Sequence, residues 1–186
     1  MLRNTKSGYG LVAIFFHWLI AALFLGQAAL GFYMADLPPD EALVFTLFQW
    51  HKSLGLLILV LALLRLFWFA MNRMPELPGP MPVREKRAAR LAHLSLYAAI
   101  VAVPLTGWAL VSASPLAIPT FAFNLVVVPH LPVTVSEAAE AFWGFIHGNL
   151  AKLALLVALL HIAAALRHEF ILRDGLIRRM IRPARE

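Results

Sequence analysis

The sequence predicts an all-α membrane protein, a bundle of four transmembrane helices. Three observations carry that reading. Hydrophobic residues make up 61% of the 186 and the mean hydropathy is +0.78, against about 45–50% apolar usage in ordinary soluble domains. Four runs, residues 11–33, 47–70, 89–111 and 142–166, each reach the ~20 mostly apolar residues that cross a hydrocarbon core at 1.5 Å per residue. Lys and Arg crowd the sequence between and beyond those runs. The chain has no Cys, so disulfides, iron–sulfur clusters and thiol nucleophiles are excluded and any redox chemistry needs a bound cofactor.

The first run, preceded by Lys6, is read as a span rather than a signal peptide, because it exceeds the ~7–15 apolar residues of a signal h-region. Basic residues gather at the N-terminus (Arg3, Lys6), in the second connection (Arg73, Arg84, Lys86, Arg87, Arg90) and in the tail (Arg167, Arg173, Arg178, Arg179, Arg182, Arg185). The positive-inside rule makes these cytoplasmic. The first connection carries Asp36, Asp40 and Glu41 and the third carries Glu137 and Glu140, with no Lys or Arg between their helices. Both termini are therefore expected inside a bacterial inner membrane, with the acidic loops in the periplasm. The net charge of +6 and pI near 10.3 then reflect topology, and no nucleic-acid partner is expected.

The third connection, about 112–141, is apolar and broken by Pro115, Pro119, Pro129 and Pro132, each unable to sit in a helix interior without loss. It is expected to lie on the periplasmic surface as a lid. Ser136 with Glu137 and Glu140 reads as a helix start leading into the fourth run. Residues 1–186 form one membrane domain, surrounded by lipid.

Ionisable or ligating side chains inside spans are functional candidates, since burying one without a partner costs several kcal/mol. His147 and His161 lie fourteen residues apart on the fourth helix, which is ~21 Å along its axis and only ~40° around it. His17 matches the depth of His161, and His51 matches that of His147. Two bis-imidazole pairs stacked across the bilayer are the chemistry of two haems b, with His17, His51, His147 and His161 as iron ligands, and six-coordinate iron suits electron transfer. Hydrogen bonding between helices is the bland alternative for any one of them. His93, at the cytoplasmic level of helix three, could replace His17 or His161, touch a haem propionate or bind quinone. Gly55, one turn past His51, and Gly144 and Gly148 beside His147 would make room for a flat cofactor, although glycine also packs membrane helices. Arg65 faces the interior near the inner pair, either for a propionate or snorkelling to the interface. Lys52 and Lys152 are the periplasmic-side cations, as anchors or as part of a reaction site. His130 and His168 are expected to face solvent.

Phe16, His17 and Trp18, then Trp50, His51, Lys52, Ser53 and Gly55, the stretch Arg90, Leu91, His93, Leu96, Tyr97, the PLTGW segment from Pro104 to Trp108, and the His147/His161 pair together resemble the prokaryotic cytochrome b561 family over nearly the whole chain. The resemblance implies that helix four supplies one ligand to each of two haems, His161 with His17 and His147 with His51. It implies exchange of electrons with the quinone pool, with ubiquinone as substrate, and superoxide as an electron donor that Lys52 and Lys152 could steer. The expected activity is that of a quinone-coupled oxidoreductase in the respiratory chain. The alternative is a cytochrome b anchor that accepts electrons from a separate dehydrogenase or hydrogenase, a redox partner protein. Metal or proton transport would need polar residues along a path, and the helix cores are expected to hold essentially none beyond Arg65.

Overall fold

The computed structural model describes residues 1–38, 42–76 and 81–184; Asp40, Glu41 and Arg185 lie outside them. Four long helices carry the fold: α1 (Leu11–Ala35), α2 (Ala42–Ala70), α3 (Val83–Ala113) and α4 (Glu137–Arg167). All four are long and apolar enough to cross a membrane. They are longer than the apolar runs, because polar turns extend them past the hydrocarbon: α3 begins six residues before residue 89 and α4 five before residue 142.

Local chemistry explains the ends. Ser136 caps α4, its hydroxyl accepting from Ala139 N at 3.1 Å, with Glu137 and Glu140 in the first turn where the helix dipole favours negative charge. The backbone N–H of Ser136 donates to Ala113 O at 3.1 Å, tying the start of α4 to the end of α3. After Arg167 the helix widens into a π-helical turn, His168–Leu172, and Arg173 ends it with φ of 53°.

The helices pack in chain order, α1 on α2, α2 on α3 and α3 on α4, with a lighter α1–α4 contact closing the bundle. Ile20, Ala62 and Ile100 meet at the centre, flanked by Phe16, Leu61, Tyr97 and Val101. Small residues (Ala99, Ala109, Ala154, Ala158) are buried between helices, while large apolar ones such as Phe15, Phe67, Leu94 and Phe145 face outward. That inversion of a soluble protein's pattern is the arrangement of a bundle that has lipid as solvent.

The connection between α3 and α4 contains a two-stranded hairpin that the proline pattern did not foretell, β1 (Thr120–Ala122) antiparallel to β2 (Val126–Val128). Its turn puts Phe123 and Asn124 at φ of 51° and 57°, closed by Leu125 N donating to Ala122 O at 2.9 Å. That is the primed turn that matches strand twist. A left-handed Phe costs about 1–3 kcal/mol and needs outside support. One face of α2 supplies it. Gln49 Nε2 and Lys52 Nζ donate to Pro119 O at 3.0 and 3.1 Å, and Gln49 Oε1 accepts from Phe121 N. Ser53 Oγ accepts from Phe123 N at 3.0 Å. On α3, Ser112 Oγ accepts from Leu131 N and Trp108 Nε1 donates to Pro129 O. The connection is thus bolted to two helices.

Candidate functional site

The bundle interior gathers histidines at two levels. Near the lid, the His51 and His147 rings lie 6.2 Å apart between centroids and nearly perpendicular. Near the opposite, basic end, His17 and His161 lie 6.3 Å apart. His93 joins the second group, its ring 5.3 Å from that of His161. The rings that sequence depth matched therefore lie edge to face within about 6.3 Å of one another, and at the basic end His93 stands nearer still to His161.

Helix geometry seats each ring. Gly107 on α3 lies where a Cβ would come within 3.0 Å of His147 Cε1, and Gly31 on α1 where one would come within 3.1 Å of His51 Cε1. These two glycines, rather than Gly55, Gly144 or Gly148, admit the imidazoles. Gly55 lies against Gln27, Gly144 against Leu110, and Gly148 has open space. Gly107 belongs to PLTGW, whose Val103 neighbour matters too: His147 Nδ1 donates to Val103 O at 3.0 Å, with the Thr106 hydroxyl at 3.3 Å. Nε2 of His147 is then the nitrogen with a free lone pair.

At the basic end, Arg65 comes within 3.4 Å of His17 Nδ1 and stacks its guanidinium 5.1 Å from the Tyr97 ring centre. Tyr9, just before α1, joins the same neighbourhood. Burial first, then Tyr97, pushes its phenol above the ordinary value. Near the lid, Gln27 Nε2 donates to His51 O, while Gln27 Oε1 and His51 Nδ1 are buried without a partner among the described residues. Gln27 corrects the expectation of cores without polar groups beyond Arg65. An amide in mid-span was the signal that could have found it.

The remaining candidates fall as follows. Lys52 is tied to Pro119 of the lid, whereas Lys152 is exposed on α4 without a polar contact among the described residues. His168 does not face solvent: its side chain is 12% exposed and meets Asp174 at 2.6 Å, because the π-helical turn folds the tail back. His130 is half-buried in the lid.

A four-span apolar bundle with facing imidazoles in its interior is the architecture of a membrane cytochrome. The sequence pattern of prokaryotic cytochrome b561 matches residues 8–183, and the chain belongs to that family, whose cofactor is b-type haem. It is 32% identical over 183 residues to cytochrome b561 homolog 2 of Escherichia coli, covering 96% of this chain and 93% of the relative. It is 27% identical to cytochrome b561 homolog 1 of the same organism, covering 90% and 93%. A Yersinia pestis protein named probable superoxide oxidase CybB is 28% identical over 93% of this chain and 95% of its own length.

Proposed function

We propose that the chain, as one membrane domain, is a di-haem oxidoreductase that moves electrons across the bacterial inner membrane to ubiquinone, with superoxide as the donor. The supporting observation is the spacing of the two imidazole pairs. Each pair brings two imidazoles close enough together in the bundle interior that they could hold one haem iron between them. The pairs His51/His147 and His17/His161 stand at 6.2 and 6.3 Å. His93 lies 5.3 Å from His161; on this reading the depth-matched His17 is the ligand and His93 a neighbour of the inner site.

Haem b, when bound, accepts and releases one electron at a time. The residues do the rest. Val103 O holds a proton on His147 Nδ1 and so presents Nε2. Arg65 only donates, so its contact needs a bare His17 Nδ1. Were His17 to hold iron through Nε2, its Nδ1 would carry the hydrogen, and Arg65, stacked on Tyr97, would be a cation available to a haem carboxylate. Lys52 and Lys152 place positive charge at the lid end, where an anion approaching from the periplasm would be steered. The basic residues gather at the end that holds both termini, which favours a cytoplasmic location for that end. The Yersinia pestis relative's name favours superoxide.

The overall change balances as two superoxide ions oxidised to two dioxygen molecules, with one ubiquinone taking two electrons and two protons to become ubiquinol. The test is a pyridine haemochrome count on purified protein together with superoxide-driven ubiquinone reduction. Two haems per chain are expected, with His147→Ala losing mainly the haem at the lid end and His161→Ala mainly the other. One haem per chain, or both retained in either variant, defeats the ligand assignment. Two haems without ubiquinol formation defeats the activity.

A further inference from the structure

The basic end of the bundle is more than a scatter of charges. Residues 1–10, 71–76 and 168–184 knit into one platform. Asn4 Nδ2 donates to Arg73 O at 2.9 Å and Glu76 N to Lys6 O at 2.9 Å. Arg179 reaches Glu76 O at 3.0 Å, and Trp18 Nε1 on α1 donates to Met180 O at 2.7 Å. Ala184 N donates to Tyr9 O at 2.9 Å, and the terminal amine of Met1 reaches back to Ala184 O. Gly10 is required here, since a Cβ would run into the carbonyl of Leu2. A tail this well tied presents its side chains in fixed places.

Two kinds of side chain are presented together. Apolar ones stand exposed where the spans end: Phe170 is 69% exposed, Ile171 73% and Leu2 63%. Cations gather at the same end of the chain. The described residues at this end include twelve Lys or Arg against four Asp or Glu, and three of those acids are occupied, Glu85 by Arg167, Glu169 by Arg178 and Asp174 by His168. Arg173 and Arg182 are exposed and face no carboxylate among the described residues. Apolar side chains that reach into the acyl boundary with arginines at headgroup level are the signature of an interfacial segment that binds anionic lipid.

We propose that this platform is a docking surface for anionic phospholipid, with Arg173 and Arg182 holding headgroup phosphates while Phe170, Ile171 and Leu2 enter the acyl layer. A neutral, zwitterionic lipid offers the same chains without net charge, so charge is what distinguishes the occupant. The π-helical turn contributes by ending α4 and turning the tail back across the end of the bundle, where it bonds Trp18, Glu76 and Tyr9.

The experiment uses the full haem-loaded chain in neutral detergent, supplied with equal phosphatidylglycerol and phosphatidylcholine of identical chains and weighed intact by native mass spectrometry. Phosphatidylglycerol adducts should exceed phosphatidylcholine adducts. An Arg173→Gln, Arg182→Gln double variant should lose phosphatidylglycerol occupancy ~10-fold or more. Arg173→Lys, Arg182→Lys should retain most of it, and Lys152→Gln, at the other end, should leave it unchanged. Equal adducts of the two lipids on the unaltered chain would overturn the proposal without any variant. So would undiminished phosphatidylglycerol on the Gln double variant, or an equal loss on Lys152→Gln.

Discussion

Gly107→Ala is the sharpest test of how the lid-end imidazoles are seated. The added Cβ would lie 3.0 Å from His147 Cε1 and 3.2 Å from its Nδ1, while ordinary carbon contact begins near 3.5 Å. The ring must therefore retreat by roughly 0.4 Å or more. It cannot do so freely, because its Nδ1 is held at 3.0 Å by Val103 O on the same turn of α3. Metal–ligand distances tolerate only about ±0.2 Å, so on the proposed ligand assignment the displacement would exceed what a bond from His147 to iron could absorb. The expected outcome is loss of about one haem per chain in a pyridine haemochrome assay, or conversion of one haem to a five-coordinate spectrum. Gly148→Ala, one residue from His147 but with nothing within 4 Å of its Cβ, should leave both haems unchanged. If Gly107→Ala kept both haems with unaltered spectra, the seating of His147 against α3 would be refuted.

Gly31→Ala should behave like Gly107→Ala through His51, at 3.1 Å, and the two variants should affect the same haem in redox titration. His93→Ala should keep both haems yet shift the potential of the basic-end haem or slow quinone exchange; loss of a haem would make His93 a ligand. Ser53→Ala strips the acceptor from Phe123 N inside a buried site, costing about 1–3 kcal/mol. Hydrogen exchange at the Phe123 amide should then accelerate roughly 10- to 100-fold, and an unchanged rate would show that the hairpin holds itself. Lys152→Gln should slow reduction by superoxide but not by a neutral reductant. The unaltered protein should also slow as salt is raised, since exposed charges are screened beyond a Debye length of ~8 Å; equal rates would leave this lysine an anchor.

The helices and the histidine levels were legible in the sequence because a bilayer reduces both to one dimension. Hydropathy over ~20 residues fixes a span, and a residue's place in its span fixes its depth. That sufficed to place His17 at the level of His161 and His51 at that of His147, though not to show that His93 crowds His161. What depth does not contain is rotation and cross-chain contact. Whether a glycine faces an imidazole depends on how two helices turn toward each other, so Gly55, Gly144 and Gly148 attracted notice while Gly31 and Gly107 did the seating. The hairpin was hidden for a related reason. Residues 120–128 hold no Gly in the turn, and the left-handed Phe123 is supported by contacts from residues far away in sequence, Ser53 among them, which accepts its N–H.

The lid and the lid-end pair share one turn of α2, and this constrains what any change there can mean. At ~100° per residue, Gln49 and Ser53 lie nearly on one line of the helix while His51, between them, points to the far side. The same turn thus clamps the hairpin outward and offers an imidazole to the bundle. Lys52 stands between the two roles, its ammonium on Pro119 O and its backbone next to His51. Removing its charge also removes a lid contact, so a Lys52 variant mixes steering with support. Lys152 has no such tie among the described residues, which makes it the side chain through which charge alone can be varied. A lid held by α2 and α3 at once also resists a shift of either helix, keeping Gly107 and His147 in the register that their 3.0 Å approach requires.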